Sequence, residues 1–204
     1  VNDIIAQGFP VTLTYGLWAF AVALVVGVTL GVVAAVRHNT WIDYLAVGVS
    51  VGAQVLPNFV LAPILVLIFA FGLGWLPGGG WNGGAWNHLI LPVVAMATSY
   101  MASIARIMRS SMLEVLNSGF IRTAKAKGLP MSRIILRHEL KPEMLPLLSY
   151  LGPAFVAMIT GSFIIDMYFS TGGIGTFFVN SALNRDYSVI MGITILTGAL
   201  TILF

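Results

Sequence analysis

The sequence is short of charge. Lys, Arg, Asp and Glu make up 8% of its 204 residues, where a soluble domain carries about 25%. So few charges cannot cover a water-facing surface, and a soluble globular protein is excluded. Cysteine is absent, which removes disulfides and thiolate metal sites and leaves the redox compartment unmarked. Histidine occurs only as His38, His88 and His138, scattered in loops or at a span edge, so no metal cluster and no buried serine–histidine pair is expected. Gly161-Ser162-Phe163 is not the G-x-S-x-G of a nucleophile elbow. The glycine-rich run GWLPGGGWNGGAW is not followed by the Lys and Ser or Thr that a phosphate-cradling loop needs.

What is present is apolar: 58% of the residues are hydrophobic and the mean hydropathy is +0.96. A spanning helix takes about 20 mostly apolar residues. Five stretches qualify, near 11–36, 44–73, 89–107, 145–165 and 188–204. The fold class predicted is therefore an all-α polytopic membrane protein with five spans. Charged side chains are missing from these interiors, apart from Arg106 at the end of the third. Pro57 and Pro63 in the second predict a kink, either a bent helix that packs well or a hinge. The chain opens on Val1 rather than Met, and its final run ITILTGALTILF ends within an apolar stretch. Both ends predict a piece of a longer protein.

Nine of the ten Lys and Arg lie at 37, 106, 109 and between 122 and 141; only Arg185 lies elsewhere. Basic short loops stay cytoplasmic. This places 37–43 and a loop of about 108–143 inside, and the N-terminus, 74–88 and 166–187 outside. The pI near 9.5 reflects this membrane topology and not a nucleic-acid surface. Trp75, Trp81 and Trp86 fit interfacial anchors. Gly27 and Gly31 make a G-x-x-x-G that lets helices approach.

Few polar groups interrupt the spans. Gln54, Asn58, Ser99, Ser103, Thr160 and Ser162 are the candidates for a weakly polar translocation path. The rival role for each, and for Thr98, is interhelical hydrogen bonding. Gln54 and Asn58, four apart beside Pro57, are expected on one helix face. In the basic segment, Ser118 suits a helix N-cap. Phe120, Ile121 and Ala124 can share a face. Gly128 and Pro130 then stop the helix, and a second short helix is expected over about 132–140. By composition alone such a segment binds anionic lipid headgroups.

The order of residues says more. RSSMLEVLNSGFIRTAKAKGLPMSRIILRHELKPEMLP, with LPGGGWNGG, GPAFVAMITGS and LNRDYS, resembles the membrane permease subunits of bacterial ABC importers, in the oligopeptide and dipeptide branch. The likeness covers essentially the whole chain. It implies a type I importer-like helical bundle and a non-catalytic subunit. It also implies a second homologous permease, two cytoplasmic ATPase subunits carrying ATP and Mg, and an extracytoplasmic peptide-binding protein, with no cofactor on this chain. Carried over by position, Ser118, Phe120, Ile121, Arg122, Thr123, Ala124, Lys125, Lys127 and Gly128 form the helix that couples to an ATPase. The general importer pattern begins Glu-Ala-Ala where this chain has Arg122-Thr123-Ala124, so a glutamate contact is not carried over. Asp166 stands where the family usually has Glu, and Thr171 where it usually has Pro. The alternatives are an ion-coupled carrier, which the missing interior charges count against, and a passive channel.

An aromatic anchor in a partner's groove outweighs a charge on its rim. Phe120→Ala is therefore expected to uncouple ATP hydrolysis from transport more severely than Lys127→Ala. Equal coupling ratios in normally assembled complexes of the two variants would contradict this.

Overall fold

The computed structural model describes residues 1–116, 119, 121, 140–160 and 163–203. Every regular element among them is helical. Helix α1 covers Asn2–Val36, α2 covers Trp41–Val55 and α3 covers Asn58–Leu65. The last widens into a π-helical turn over Val66–Gly72. Helix α4 covers Trp86–Leu116, α5 Leu140–Ile159, α6 Phe163–Tyr168, α7 Ile174–Leu183 and α8 Tyr187–Leu203.

The long apolar runs form helices because a backbone in hydrocarbon must bond to itself. Among the described residues three are long and apolar enough to cross a bilayer: Asn2–Val36, Trp86–Leu116 and the stretch Pro146–Tyr168; the pair Trp41–Val55 plus Asn58–Gly72 makes a fourth if counted as one. Five uninterrupted spans are thus more than the structure supports. The second expected span is broken rather than kinked. Pro57 is extended, with φ −62° and ψ 147°, and its ring disfavours helix at Leu56. The last apolar stretch forms α8, with 17 described residues. Helix α4 runs nine residues past the expected end of the third span at Ile107, so 108–116 is helix and not loop. Helix α5 likewise starts at Leu140, inside the segment expected as loop.

The chain divides into two compact units. The first holds Val1–Val22, Leu56–Ser99 and Gly152–Phe204; the second holds Ala23–Val55 and Tyr100–Leu151. In the first, Ala62, Val66, Leu91, Ala95, Ile165 and Phe169 form a buried cluster. A second cluster packs Ile174, Val189 and Ile193 against Ile4, Phe9, Phe177 and Phe178. Phe163 stacks on Phe178 at 4.4 Å. The three tryptophans expected as anchors divide: Trp75 and Trp86 are 70% and 73% exposed. The Trp81 ring instead packs edge-on against buried Tyr15 at 5.4 Å and belongs to the packing.

In the second unit the α1 glycines seat a helix crossing. A Cβ at Gly27 would lie 2.8 Å from Ile104 Cγ2, and one at Gly31 2.6 Å from the Ala105 carbonyl oxygen. Bare backbone at these two positions lets α1 and α4 approach. Gly48 and Gly52 on α2 have the same spacing, yet a Cβ there meets nothing within 4 Å. Gly31→Leu is therefore expected to destabilise the fold by about 1–3 kcal/mol through overpacking. Gly48→Ala is expected to be neutral, or to gain up to about 1 kcal/mol of helix propensity. Thermal unfolding in detergent checks both; equal melting shifts would contradict the packing described.

Candidate functional site

Most residues of the expected coupling helix lie outside the described residues: Ser118, Phe120, Arg122, Thr123, Ala124, Lys125, Lys127 and Gly128. So does the second short helix, except Leu140. Ile121 is described and is fully buried within the chain itself. The structure does define what this segment hangs from, the far end of α4.

That end is clamped. Helix α1 ends at Val36, and Asn39 turns the chain with φ +60°, a conformation asparagine tolerates. Asp43 then sits in the first turn of α2, where the helix dipole favours a negative charge. It is 1% exposed. Arg109 Nε donates to its Oδ1 at 2.6 Å and Arg109 Nη2 to its Oδ2 at 2.8 Å. The Asn39 backbone N–H donates to Oδ2 at 3.0 Å. His38 Nδ1 lies 3.1 Å from Asp43 Oδ2 and 3.2 Å from Arg109 Nη2. One ring nitrogen either donates to the carboxylate or accepts from the guanidinium, so the tautomer chooses between them. The planar fork of Arg109 matches the carboxylate two-for-two. It ties the α1–α2 turn to α4 seven residues before Leu116, the last residue described for α4.

The candidate path residues separate. Ser99 Oγ donates to Asn58 Oδ1 at 2.9 Å, so this pair joins α3 to α4 as interhelical glue. The break at Pro57 removes the shared helix face expected for Gln54 and Asn58. Gln54 is exposed and lines a cavity of about 350 Å³ with Ser50, Arg106 and Arg109. Ser103 is half-buried on α4. Thr160 Oγ1 bonds back to the Val156 carbonyl at 2.8 Å and borders another cavity of about 350 Å³ with Pro153 and Thr201. Ser162 lies outside the described residues.

Sequence reasoning missed the second buried carboxylate. Asp166, expected in an outer loop, lies in α6 and is 3% exposed. Thr171 Oγ1 donates to its Oδ1 at 2.7 Å. Thr12 Oγ1 at 3.0 Å and the Gly175 N–H at 3.1 Å donate to its Oδ2. Thr12 Oγ1 in turn accepts the Ile174 N–H at 2.9 Å. A Cβ at Gly173 would collide with Thr12 Oγ1 and Asp166 Oδ2, and one at Gly175 with Phe163 Cα. The run Thr171-Gly-Gly-Ile-Gly175 was the available signal, since closely spaced glycines mark a tight backbone approach. Nearby, the Gly80 N–H donates to the Phe169 carbonyl at 2.6 Å, and His88 Nδ1 donates to the Gly79 carbonyl at 2.8 Å. Asp186 Oδ1 accepts the Val189 N–H at 3.3 Å and caps α8. Among the described residues no group of three or more His, Cys, Asp or Glu could hold a metal.

The model of the binding-protein-dependent transport system inner membrane component family matches residues 27–204. The chain belongs to this family and is a membrane protein. It is 60% identical over 200 residues to the oligopeptide transport system permease protein OppB of Escherichia coli (strain K12), covering 98% of this chain. It is 58% identical to OppB of Haemophilus influenzae over its full length, 67% of that protein. It is 42% identical over 203 residues to the dipeptide transport system permease protein DppB of Bacillus subtilis, covering 100% of this chain and 65% of that protein. The chain spans 65% of the length of the Escherichia coli relative. A solved structure of the MetNI methionine ABC transporter in an inward-facing conformation superposes with TM-score 0.78 at 16% identity, over 98% of this chain and 90% of that one. That likeness establishes the helical fold of an importer membrane subunit.

The clamp has a measurable consequence. Arg109→Leu leaves a buried carboxylate without its cation and is expected to cost about 2–3 kcal/mol of stability. The double variant Asp43→Leu with Arg109→Leu, which removes both charges, is expected to recover most of that loss. Thermal unfolding of the wild type, the two single variants and the double variant checks it; additive losses in the double variant would contradict a coupled pair.

Proposed function

We propose that this chain is a transmembrane permease subunit of an ATP-driven peptide importer. It forms half of the translocation path and couples it to ATPase subunits. The observation that carries the reading is the identity to oligopeptide and dipeptide permeases across nearly the whole chain. Helix α4 supports it by running without a break to Leu116, at the threshold of the segment that resembles a coupling helix. On this reading the chain crosses a bacterial inner membrane five times, counting the broken α2–α3 pair as one span and α8 as the last. Its basic segments face the cytoplasm. Ser118, Phe120 and Arg122–Gly128 dock on an ATPase subunit. The partners are a second homologous permease, two ATPase subunits that bind ATP and Mg, and an extracytoplasmic peptide-binding protein. The chain itself holds no cofactor and catalyses no reaction.

The physical logic is that of a lever. A stiff helix rooted by an ion pair moves its root when its tip is pushed, whereas a loose loop absorbs the push. Neutral polar groups along the path contact peptide main chains without holding any one side chain tightly. Uptake of labelled di-, tri- and pentapeptides by cells with and without the gene tests the function. Loss of peptide uptake on deletion, restored by the gene, is expected; unchanged uptake of all three would overturn the reading.

A further inference from the structure

The cavity beside the clamp carries a further assignment, which rests on the peptide-importer reading. Its lining belongs to α1, α2 and α4, with an apolar wall from Leu30, Ala34, Val47 and Val51. Four polar residues face it: Ser50, Gln54, Arg106 and Arg109. Two of them are already engaged, since Ser50 Oγ donates to the Ala46 carbonyl at 2.8 Å and Arg109 is spent on Asp43. The other two are free to meet a ligand. Arg106 is exposed and forms no ion pair among the described residues. Gln54 is exposed, and with Ser50 and the clamped Asp43 it is one of few polar side chains on α2.

Depth decides which ligand fits. Gln54 lies 11 residues along α2 from Asp43, about 16 Å of helix axis. An acyl chain of a lipid bound at Arg106 would lie against that amide and leave it unmatched in hydrocarbon, an unfavourable arrangement. A peptide would match it with a main-chain amide, while its C-terminal carboxylate met the guanidinium. We propose that this cavity is a resting site for a peptide in transit, with Arg106 taking the C-terminal carboxylate and Gln54 bonding the main chain. The carboxylate is common to all free peptides, so such a site reads the backbone terminus and ignores side chains. Because Asp43 neutralises Arg109, one cation without an ion pair among the described residues, Arg106, remains in the cavity. A single exposed ion pair holds weakly, which permits release.

The test uses the complete transporter in proteoliposomes with its external binding protein and ATP. Uptake of a labelled tripeptide is compared with that of its C-terminal amide. The acid-to-amide uptake ratio of each variant is divided by that of the wild type, which cancels any preference of the binding protein. Arg106→Gln and Arg106→Met are expected to lower this ratio about three- to tenfold, as expected for loss of one charge-assisted contact. Arg106→Lys is expected to restore most of it. Gln54→Leu is expected to slow both forms alike. An unchanged ratio in both neutral variants, or an equal loss of both forms, would overturn the assignment. The second result would place Arg106 in a lipid or assembly contact. Wild-type transporter that imports neither form would overturn the importer reading itself.

Discussion

A carboxylate taken out of water must find its hydrogen-bond donors inside the protein, and Asp43 finds its principal partner in Arg109. Both carboxylate oxygens receive the guanidinium, and the Asn39 N–H adds a further bond to one of them. Without that pair, the short turn after α1 would have an unmatched charge and would lose its side-chain tie to α4. With it, α1, α2 and α4 are joined at one end. The glycine crossing at Gly27 and Gly31 joins α1 to α4 along the helices. The unit that contains this assembly also spans nine of the ten basic residues of the chain. The clamp and the glycine crossing thus lie in one unit.

The other unit solves the same problem with dipoles. Asp166 is surrounded by two threonine hydroxyls and a glycine N–H rather than by a cation. The glycines at 173 and 175 are needed because a side chain there would occupy the space of these donors. This bears on the carrier alternative, which rests on an ionisable group available to a transported ion. Both oxygens of Asp166 are engaged in holding α1, α6 and α7 together, so its burial has a structural explanation. The ties at Phe169 and His88 then secure the loop around Gly79 and Gly80 in this unit.

Much of this was legible in the sequence, and what was missed shares a cause. Low charge and long apolar runs identified an all-helical membrane protein, because bilayer thickness and backbone hydrogen bonding leave few options. The G-x-x-x-G of α1 was readable as a candidate, but its spacing recurs at Gly48 and Gly52 without a partner; spacing marks an opportunity and packing decides its use. Pro57 announced a disturbance, and only the fold distinguishes a kink from a break. Helix α4 was read too short because its Arg106 and Arg109 look like the edge of a membrane span, although helix continues through them. Asp43 pairs across 66 residues and Thr12 reaches Asp166 across 154. No local periodicity encodes such contacts. Gln54 kept a place beside a cavity, whereas Asn58 proved to be bonded to Ser99.

The central claim is that the segment following α4 delivers the motion of a nucleotide-driven partner to a root fixed by Asp43 and Arg109. Cryo-microscopy of the complete transporter in lipid nanodiscs, with and without bound nucleotide, tests it most directly. The account predicts that residues 118–128 are seated in a groove of an ATPase subunit, and that α4 and its Asp43 contact move with that subunit as one body. A fully assembled, active complex in which those residues face solvent in both states would contradict it.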